Sequence, residues 1–266
     1  MKTALLACAS LLALTCHAMF SADFADFAHA NNVPVYDVEI VAQIPHSTDS
    51  FTQGLLFLDG VLYESTGLYG QSTLCKLDPA TGQVLQTVAL DSNYFGEGLA
   101  DWQGELVQLT WQENTALVWR ASDLARIKSY HYRGEGWGLT ADKQSFIMSD
   151  GEPYLYRRSF DDFSLLDSIS VTIAGHSLKG LNELEYARGR VYANYLGLDD
   201  IAEIDPATGA ITAVVDAGSL RDLILEDPLM SPMNGIAYDP ASDEFYLTGK
   251  LWPKIFRVRF VTSFGK

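Results

Sequence analysis

The sequence predicts an all-β domain: a five-bladed β-propeller closed by pairing of its N-terminal strand with the C-terminal blade. Three observations predict it. First, a short motif recurs as Thr52-Gln53-Gly54-Leu55, Gly96-Glu97-Gly98-Leu99, Gly136-Trp137-Gly138-Leu139, Leu181-Asn182-Glu183-Leu184 and Met233-Asn234-Gly235-Ile236. Its second positions (Gln53, Glu97, Trp137, Asn182 and Asn234) are separated by 44, 40, 45 and 52 residues. A period in that range marks one supersecondary unit per blade. Second, each motif is followed by a Gly- or Asp-bearing turn and then by runs rich in β-branched and aromatic residues. Third, Val35 to Ile44 alternates like a half-buried strand but has no partner at hairpin distance. Pairing it with the C-terminal end leaves no sheet edge open.

Taken in order, the chain begins with a targeting pattern. Lys2 is the basic start, Ala4 to Thr15 the apolar core, and Cys16-His17-Ala18 ends in a small residue suited to cleavage. Residues 1–18 therefore read as a signal peptide, and Ala28-His29-Ala30 is a second candidate that would put the cut as late as 30. The apolar run is too short to span a bilayer, so the expectation is an exported protein, periplasmic or secreted, with no membrane span. Residues 19–34 read as a loose leader and 35–266 as one domain. Inner strands start at the five motifs. Turns follow at Leu58-Asp59-Gly60, Trp102-Gln103-Gly104, Ala141-Asp142-Lys143, Ala187-Arg188-Gly189 and Pro240-Ala241-Ser242-Asp243. Second strands follow at Val61, Leu106, Phe146, Val191 and Phe245, and third strands around Lys76, Arg120, Arg157, Glu203 and Arg257. Asp78-Pro79-Ala80-Thr81-Gly82 and Asp205-Pro206-Ala207-Thr208-Gly209 turn into fourth strands: Asp caps the turn, Pro fixes φ and Gly takes the left-handed position. The main helical candidate is Ser219 to Glu226, where Leu220, Leu223 and Ile224 share a face; a lid over one end and a long loop both remain open there.

With 266 residues, 48% hydrophobic and 20% charged, the chain can bury a full core. The net charge of -16 argues against a nucleic-acid partner. It suits solubility, and a weak, salt-dependent attraction for cationic peptide N-termini. Two of the three cysteines lie in the signal, which leaves Cys75 as a packed thiol and no intramolecular disulfide. His29, His46, His131 and His176 show no metal-ligand spacing.

The repeat keeps its glycines and branched residues while the position before them varies. Close packing at a crowded axis explains the constant part. Polar groups that hold channel water would explain a carboxamide there, but a carboxylate and an indole together point to a site. Glu97, flanked by two glycines, is little shielded, and a carboxylate in a narrow apolar mouth can shuttle a proton. Lys250 follows a second strand directly after a glycine, where an ammonium can stabilise negative charge; a surface lysine beside Trp252 is the alternative. Tyr63-Glu64-Ser65-Thr66-Gly67-Leu68-Tyr69-Gly70 reads as a shaped loop at the mouth, with Glu64 either structural or catalytic. Trp111 and Trp137 are candidates for a pocket wall, with core packing the expectation for Trp111.

At these motifs the chain resembles the plant and bacterial type of glutaminyl-peptide cyclotransferase (glutamine cyclotransferase). The matching runs are FTQGL at 51–55, YESTGLYG at 63–70, YFGEGL at 94–99, QLTW at 108–111, GWGLT at 136–140, SDG at 149–151, LNELE at 181–185, NGIAYD at 234–239 and TGKLWPK at 248–254. The resemblance implies a five-bladed propeller that converts N-terminal glutamine to pyroglutamate with loss of ammonia and without a catalytic metal. It implies Glu97, Lys250 and Asn182 as catalytic residues, and Gln53 and Trp137 as substrate-binding residues. A second active-site Trp expected in blade four is replaced by Leu196 within Val191-Tyr192-Ala193-Asn194-Tyr195-Leu196. Tyr195 is a partial substitute at best.

On this reading Glu97 takes a proton from the α-ammonium and returns it to the leaving nitrogen. Lys250 and Asn182 stabilise the oxyanion, Gln53 holds the substrate amide or backbone, and Trp137 packs on the glutamine side chain. Partners are peptides or proteins with N-terminal glutamine, no cofactor is required, a structural calcium in the central channel is open, and a monomer is expected. Two other readings stand beside it: a non-catalytic periplasmic peptide-binding propeller, favoured by Leu196, and a calcium-dependent, lactonase-like propeller hydrolase.

Overall fold

The computed structural model describes residues 24–224 and 231–262. The expected signal, residues 1–18, and the end of the helical candidate, residues 225–226, lie outside the described residues. The rest is all-β: small, mostly four-stranded antiparallel sheets in a propeller-like arrangement, with two short helices.

A helix, α1 (Phe24–Ala30), comes first. Over residues 24–30 this departs from the expected loose leader; residues 19–23 lie outside the described residues. Phe24 and Ala28 are wholly buried, and the Phe24 ring stacks on Tyr195 with centroids 5.3 Å apart. Phe24, Ala25 and Ala28 share one buried apolar helix face.

Strand β1 (Val35–Pro45) follows, and its partner is the last strand, β22 (Lys254–Thr262), in antiparallel register from Tyr36↔Thr262 to Pro45↔Lys254. Its other edge was not anticipated. β1 also runs parallel to β19 (Ile211–Asp216), with Val35↔Val214 and Asp37↔Asp216, so one strand joins two four-stranded groups into a single eight-stranded sheet.

The intervening chain repeats one plan. Strands β2 (Thr52–Leu58), β3 (Val61–Thr66), β4 (Thr73–Leu77) and β5 (Val84–Ala89) form the first sheet, and β6 (Gly96–Trp102), β7 (Glu105–Thr110), β8 (Thr115–Arg120) and β9 (Arg126–His131) the second. The third is β10 (Leu139–Ala141), β11 (Phe146–Met148), β12 (Tyr154–Arg158) and β13 (Leu165–Ser170). An unforeseen hairpin, β14 (Thr172–Ile173) and β15 (His176–Ser177), precedes the fourth group: β16 (Leu181–Ala187), β17 (Arg190–Tyr195), β18 (Asp200–Ile204) and β19. A 3₁₀ helix (Gly218–Leu223) replaces the expected α-helix, and β20 (Met233–Asp239), β21 (Glu244–Gly249) and β22 complete the chain.

The turns behave as their residue types demand. Asp59-Gly60, Gln103-Gly104 and Arg188-Gly189 all have positive φ at both positions, the two-residue hairpin geometry that suits strand twist. Asp78 Oδ1 accepts from the backbone of Ala80 and Thr81.

Strands β2, β6, β10, β16 and β20 start at the repeated motif, and they pack on one another: β2 on β6 and β20, β6 on β10, β10 on β16, β16 on β20. The motif glycines allow it. A Cβ on Gly98 would lie 2.4 Å from Leu139 N, and one on Gly138 would lie 2.0 Å from Asn182 O. Apolar clusters fill the gaps between neighbouring sheets. Leu56 and Leu74 meet Leu99, Leu106 and Trp119, for example. Leu55, Leu62 and Leu77 of the first sheet meet Ala237, Tyr246 and Ile255 of the last group.

Candidate active site

Each inner strand begins at its motif, so the residues at the second positions gather where the five strands meet. Gln53, Asn182 and Asn234 are buried, and Glu97 is only 4% exposed. In the fourth motif Glu183 takes the place that glycine holds elsewhere. Its carboxylate reaches across the hub to accept from Leu55 N at 3.2 Å and Ile236 N at 2.8 Å, so it ties three inner strands together.

Glu97 lies at the end of a carboxamide relay. Gln53 Nε2 donates to Glu97 Oε1 at 2.9 Å, and Asn234 Nδ2 donates to Gln53 Oε1 at 2.9 Å and to Thr52 O at 3.1 Å. Both ends of the Gln53 carboxamide are thus engaged inside the protein. The substrate-holding role expected of Gln53 would compete with both of these bonds. Among the described residues the other Glu97 side-chain oxygen takes no hydrogen-bond partner. Beneath it, Ser65 Oγ donates to Glu97 O at 2.5 Å and takes a bond from Gln108 Nε2 at 2.7 Å, which fixes the backbone.

Burial holds the Glu97 carboxyl well above the usual carboxylate range; the Lys250 charge pulls it back, while Glu135 and Glu113 push it further up. Lys250 is 7% exposed. Burial lowers its pKa to about 8, against the pull of Glu97. The two groups therefore act on each other at one end of the hub. Lys250 Nζ sits 4.8 Å from the centre of the Phe51 ring. Its loop is shaped by Leu251 at φ 63° and by the turn bond from Trp252 N to Gly249 O at 3.1 Å.

Trp137 precedes the short strand β10, with its N–H bonded to Ser149 O at 3.0 Å and its own carbonyl accepting from Gly98 N at 2.7 Å. Its ring lies so close over Gly151 that a Cβ there would sit 2.5 Å from it, which accounts for the glycine in Ser149-Asp150-Gly151. Asn182 O accepts from Ser149 Oγ at 2.7 Å. Among the described residues its carboxamide takes no hydrogen-bond partner and is free to donate.

Several residues of the mouth were not singled out by sequence. Glu135 Oε2 accepts from two indoles, Trp111 Nε1 at 2.8 Å and Trp137 Nε1 at 3.0 Å, while its Oε1 takes Gln112 Nε2 at 3.0 Å. Trp111 is therefore not simple core: half-buried, it stands beside Trp137 and tilts against Phe95 at 5.5 Å. Glu113 accepts from the Tyr69 hydroxyl at 2.7 Å. The sequence sign was Glu135 standing directly before the Gly136-Trp137-Gly138 motif. Glu64 is buried and hydrogen-bonded to His46, Ser50 and Thr52, in keeping with the structural of its two readings. Cys75 is buried, with its thiol pushed up chiefly by burial, as a packed cysteine should be.

The arrangement offers a proton acceptor of raised pKa, a cation facing it, a free carboxamide and an indole wall. That set can deprotonate an amine and stabilise a developing oxyanion. Comparisons with known proteins bear on the family of the chain. A family model described as glutamine cyclotransferase matches residues 9–260. A glutaminyl-peptide cyclotransferase of Arabidopsis thaliana is 36% identical over 245 residues, spanning 91% of this chain and 75% of that protein. The crystal structure of glutaminyl cyclase from Myxococcus xanthus superposes with a TM-score of 0.82 at 37% identity, covering 87% of this chain and 99% of that one.

Proposed function

The chain belongs to the glutamine cyclotransferase family, and from that premise we propose how it turns the N-terminal glutamine of a peptide or protein into pyroglutamate and ammonia. The observation that carries the mechanism is the buried pair at the hub, a carboxyl of raised pKa and an amine lowered to about 8, each acting on the other.

The reaction is an intramolecular acyl transfer. The α-ammonium binds at the free oxygen of Glu97, in a mouth made electrically negative by Glu113 and Glu135. Ionised Glu97 takes one proton, and the freed amine attacks the side-chain amide carbon. Five-membered closure already has the advantage of proximity, so the protein's task is to orient and to stabilise charge. Lys250 Nζ and Asn182 Nδ2 donate to the oxyanion. Glu97 returns its proton to the leaving nitrogen. As the ring nitrogen gives up its second proton to the carboxylate, the C–N bond breaks and ammonia leaves, carrying that proton away as ammonium. Gln53, held by Asn234, keeps Glu97 turned to the substrate. Trp137, held with Trp111 by Glu135, packs on the glutamine methylenes and excludes water.

The scaffold we assign is a five-bladed propeller closed by β1 on β22. The cyclic packing of β2, β6, β10, β16 and β20 and the apolar cluster between the first and last sheets support it. The reading calls for no catalytic metal. A structural calcium in the central channel would need six to eight oxygens, and no step runs through it. We take the protein to be exported and monomeric, with the signal cut after Ala18; a cut after Ala30 would remove Phe24 and Ala28 from the core. Incubating purified protein with a synthetic Gln-peptide tests the function: the peptide loses the mass of one ammonia, whereas an unchanged peptide defeats the reading.

A further inference from the structure

We propose that His46 is a positioning residue, which as a doubly protonated imidazolium locks the loop carrying Lys250 onto the segment that leads into Gln53. The inference rests on the cyclotransferase reading for its kinetic consequence but not for its structural content.

Both ring nitrogens of His46 face oxygens that can accept: Nδ1 is 2.8 Å from Trp252 O and Nε2 is 2.9 Å from Glu64 Oε1. A neutral imidazole carries one N–H and would turn a lone pair toward one of the two. The carboxylate already takes Ser50 Oγ at 3.1 Å and Thr52 Oγ1 at 2.7 Å, the environment of an ionised acid. Both side chains are 2% exposed, so the charges are paired away from water. Burial alone would lower the His46 pKa, yet Glu64 and the Trp252 carbonyl outweigh it and raise it; for Glu64, His46 and the two hydroxyls overcome burial and lower it.

Two backbone bonds complete the clamp: His46 N to Pro253 O at 2.9 Å, and Leu251 N to Ser50 O at 2.7 Å. Segments 46–50 and 251–253 are therefore laced together directly after Lys250, whose ammonium lies over the Phe51 ring. On the far side the same loop is held by Trp252 Nε1 on Ser231 O at 2.8 Å and by Arg221 over the Trp252 ring. Of the surrounding titratable groups, Glu64 on β3 is the charge that acts on His46, and Cys75 on β4 faces Glu64 with its thiol pushed up by burial and by that carboxylate. A His pKa raised in the fold means that the clamp's contribution is fully present below the ordinary histidine value and is lost as pH rises through the raised one.

The test uses the full chain with 15N-labelled histidine. At pH 7 the ring attached to Glu64 should show protons on both nitrogens, with a titration displaced upward from ordinary histidine; one protonated nitrogen at neutral pH overturns the proposal. His46→Gln, which keeps a donor and removes the charge, should lower kcat on a Gln-peptide about 10- to 100-fold with KM within about twofold, since small misplacements of a catalytic group act on the transition state. An unchanged kcat in a folded variant overturns it too. If the variant does not fold, ring protonation in the wild type decides alone. Failure of the cyclotransferase reading shows instead as an inactive wild type, so the two failures are distinguishable.

Discussion

Replacing Lys250 by Met separates catalysis from stability, and the structure sets the size of both effects. Burial lowers the Lys250 pKa from 10.5 to about 8. That change corresponds to about 3 kcal/mol favouring the neutral amine. In the unfolded chain the lysine titrates near its ordinary value, so the penalty for a buried cation is fully present below the folded pKa. It is relieved as pH rises from about 8 toward 10.5, where the unfolded state binds the extra proton. Lys250→Met removes the penalty and should raise the melting temperature at pH 7 by several degrees, given about 2–4 °C per kcal/mol in a domain of this size. The lost attraction to Glu97 offsets part of it. The same change removes an oxyanion donor and should lower kcat about 10²- to 10³-fold. The assay is a coupled ammonia measurement on a Gln-peptide across pH 5–10, with thermal melts on the same samples. The wild type should lose activity above a pKa near 8 as Lys250 deprotonates, and the variant should lack that limb. A variant that is less stable at pH 7, or that keeps its rate within twofold, would refute the reasoning.

Glu135→Gln removes the carboxylate that two indoles share and should raise KM several-fold with a smaller effect on kcat, read from Michaelis curves; an unchanged KM would detach the indole pair from substrate binding. Gly138→Ala places a methyl 2.0 Å from Asn182 O, and backbone has nowhere to go, so the variant should be destabilised by about 3 kcal/mol or more in a urea titration. Asn234→Leu breaks the relay to Gln53 while keeping the volume. It should lower kcat about tenfold, on the scale of a lost buried hydrogen bond, as Glu97 loses its fixed orientation.

The propeller-like plan was legible because it repeats. Five motifs, their turn residues and the alternating strands carry local information, and the Asp-Gly, Gln-Gly and Arg-Gly turns adopt the conformations their types imply. The hub was legible for the same reason, since Gln53, Glu97, Trp137, Asn182 and Asn234 hold one position in each unit. What escaped depended on distant partners. Nothing local says that β1 should also lie parallel to β19, or that Phe24 should find Tyr195. A polar residue's partners are set by what faces it: Asn234 and Glu97 occupy the two ends of the Gln53 carboxamide, and His46 takes up Glu64, which favours the structural of its two readings. Glu135 is set apart from an ordinary loop acid by the two indoles, one of them 24 residues away in sequence, that converge on it.

Glu97→Gln tests the central claim most directly, because glutamine keeps the shape and can still face Gln53 but cannot carry a proton from the α-amine to the departing ammonia. Pyroglutamate formation from a Gln-peptide, measured under single-turnover conditions at pH 7–8, should fall by about 10²- to 10⁴-fold, as expected for loss of a positioned acid and base. The acidic limb of the pH profile, set above the ordinary carboxylate range by burial of Glu97, should vanish with it. A folded Glu97→Gln protein that cyclises at the wild-type rate would contradict the account.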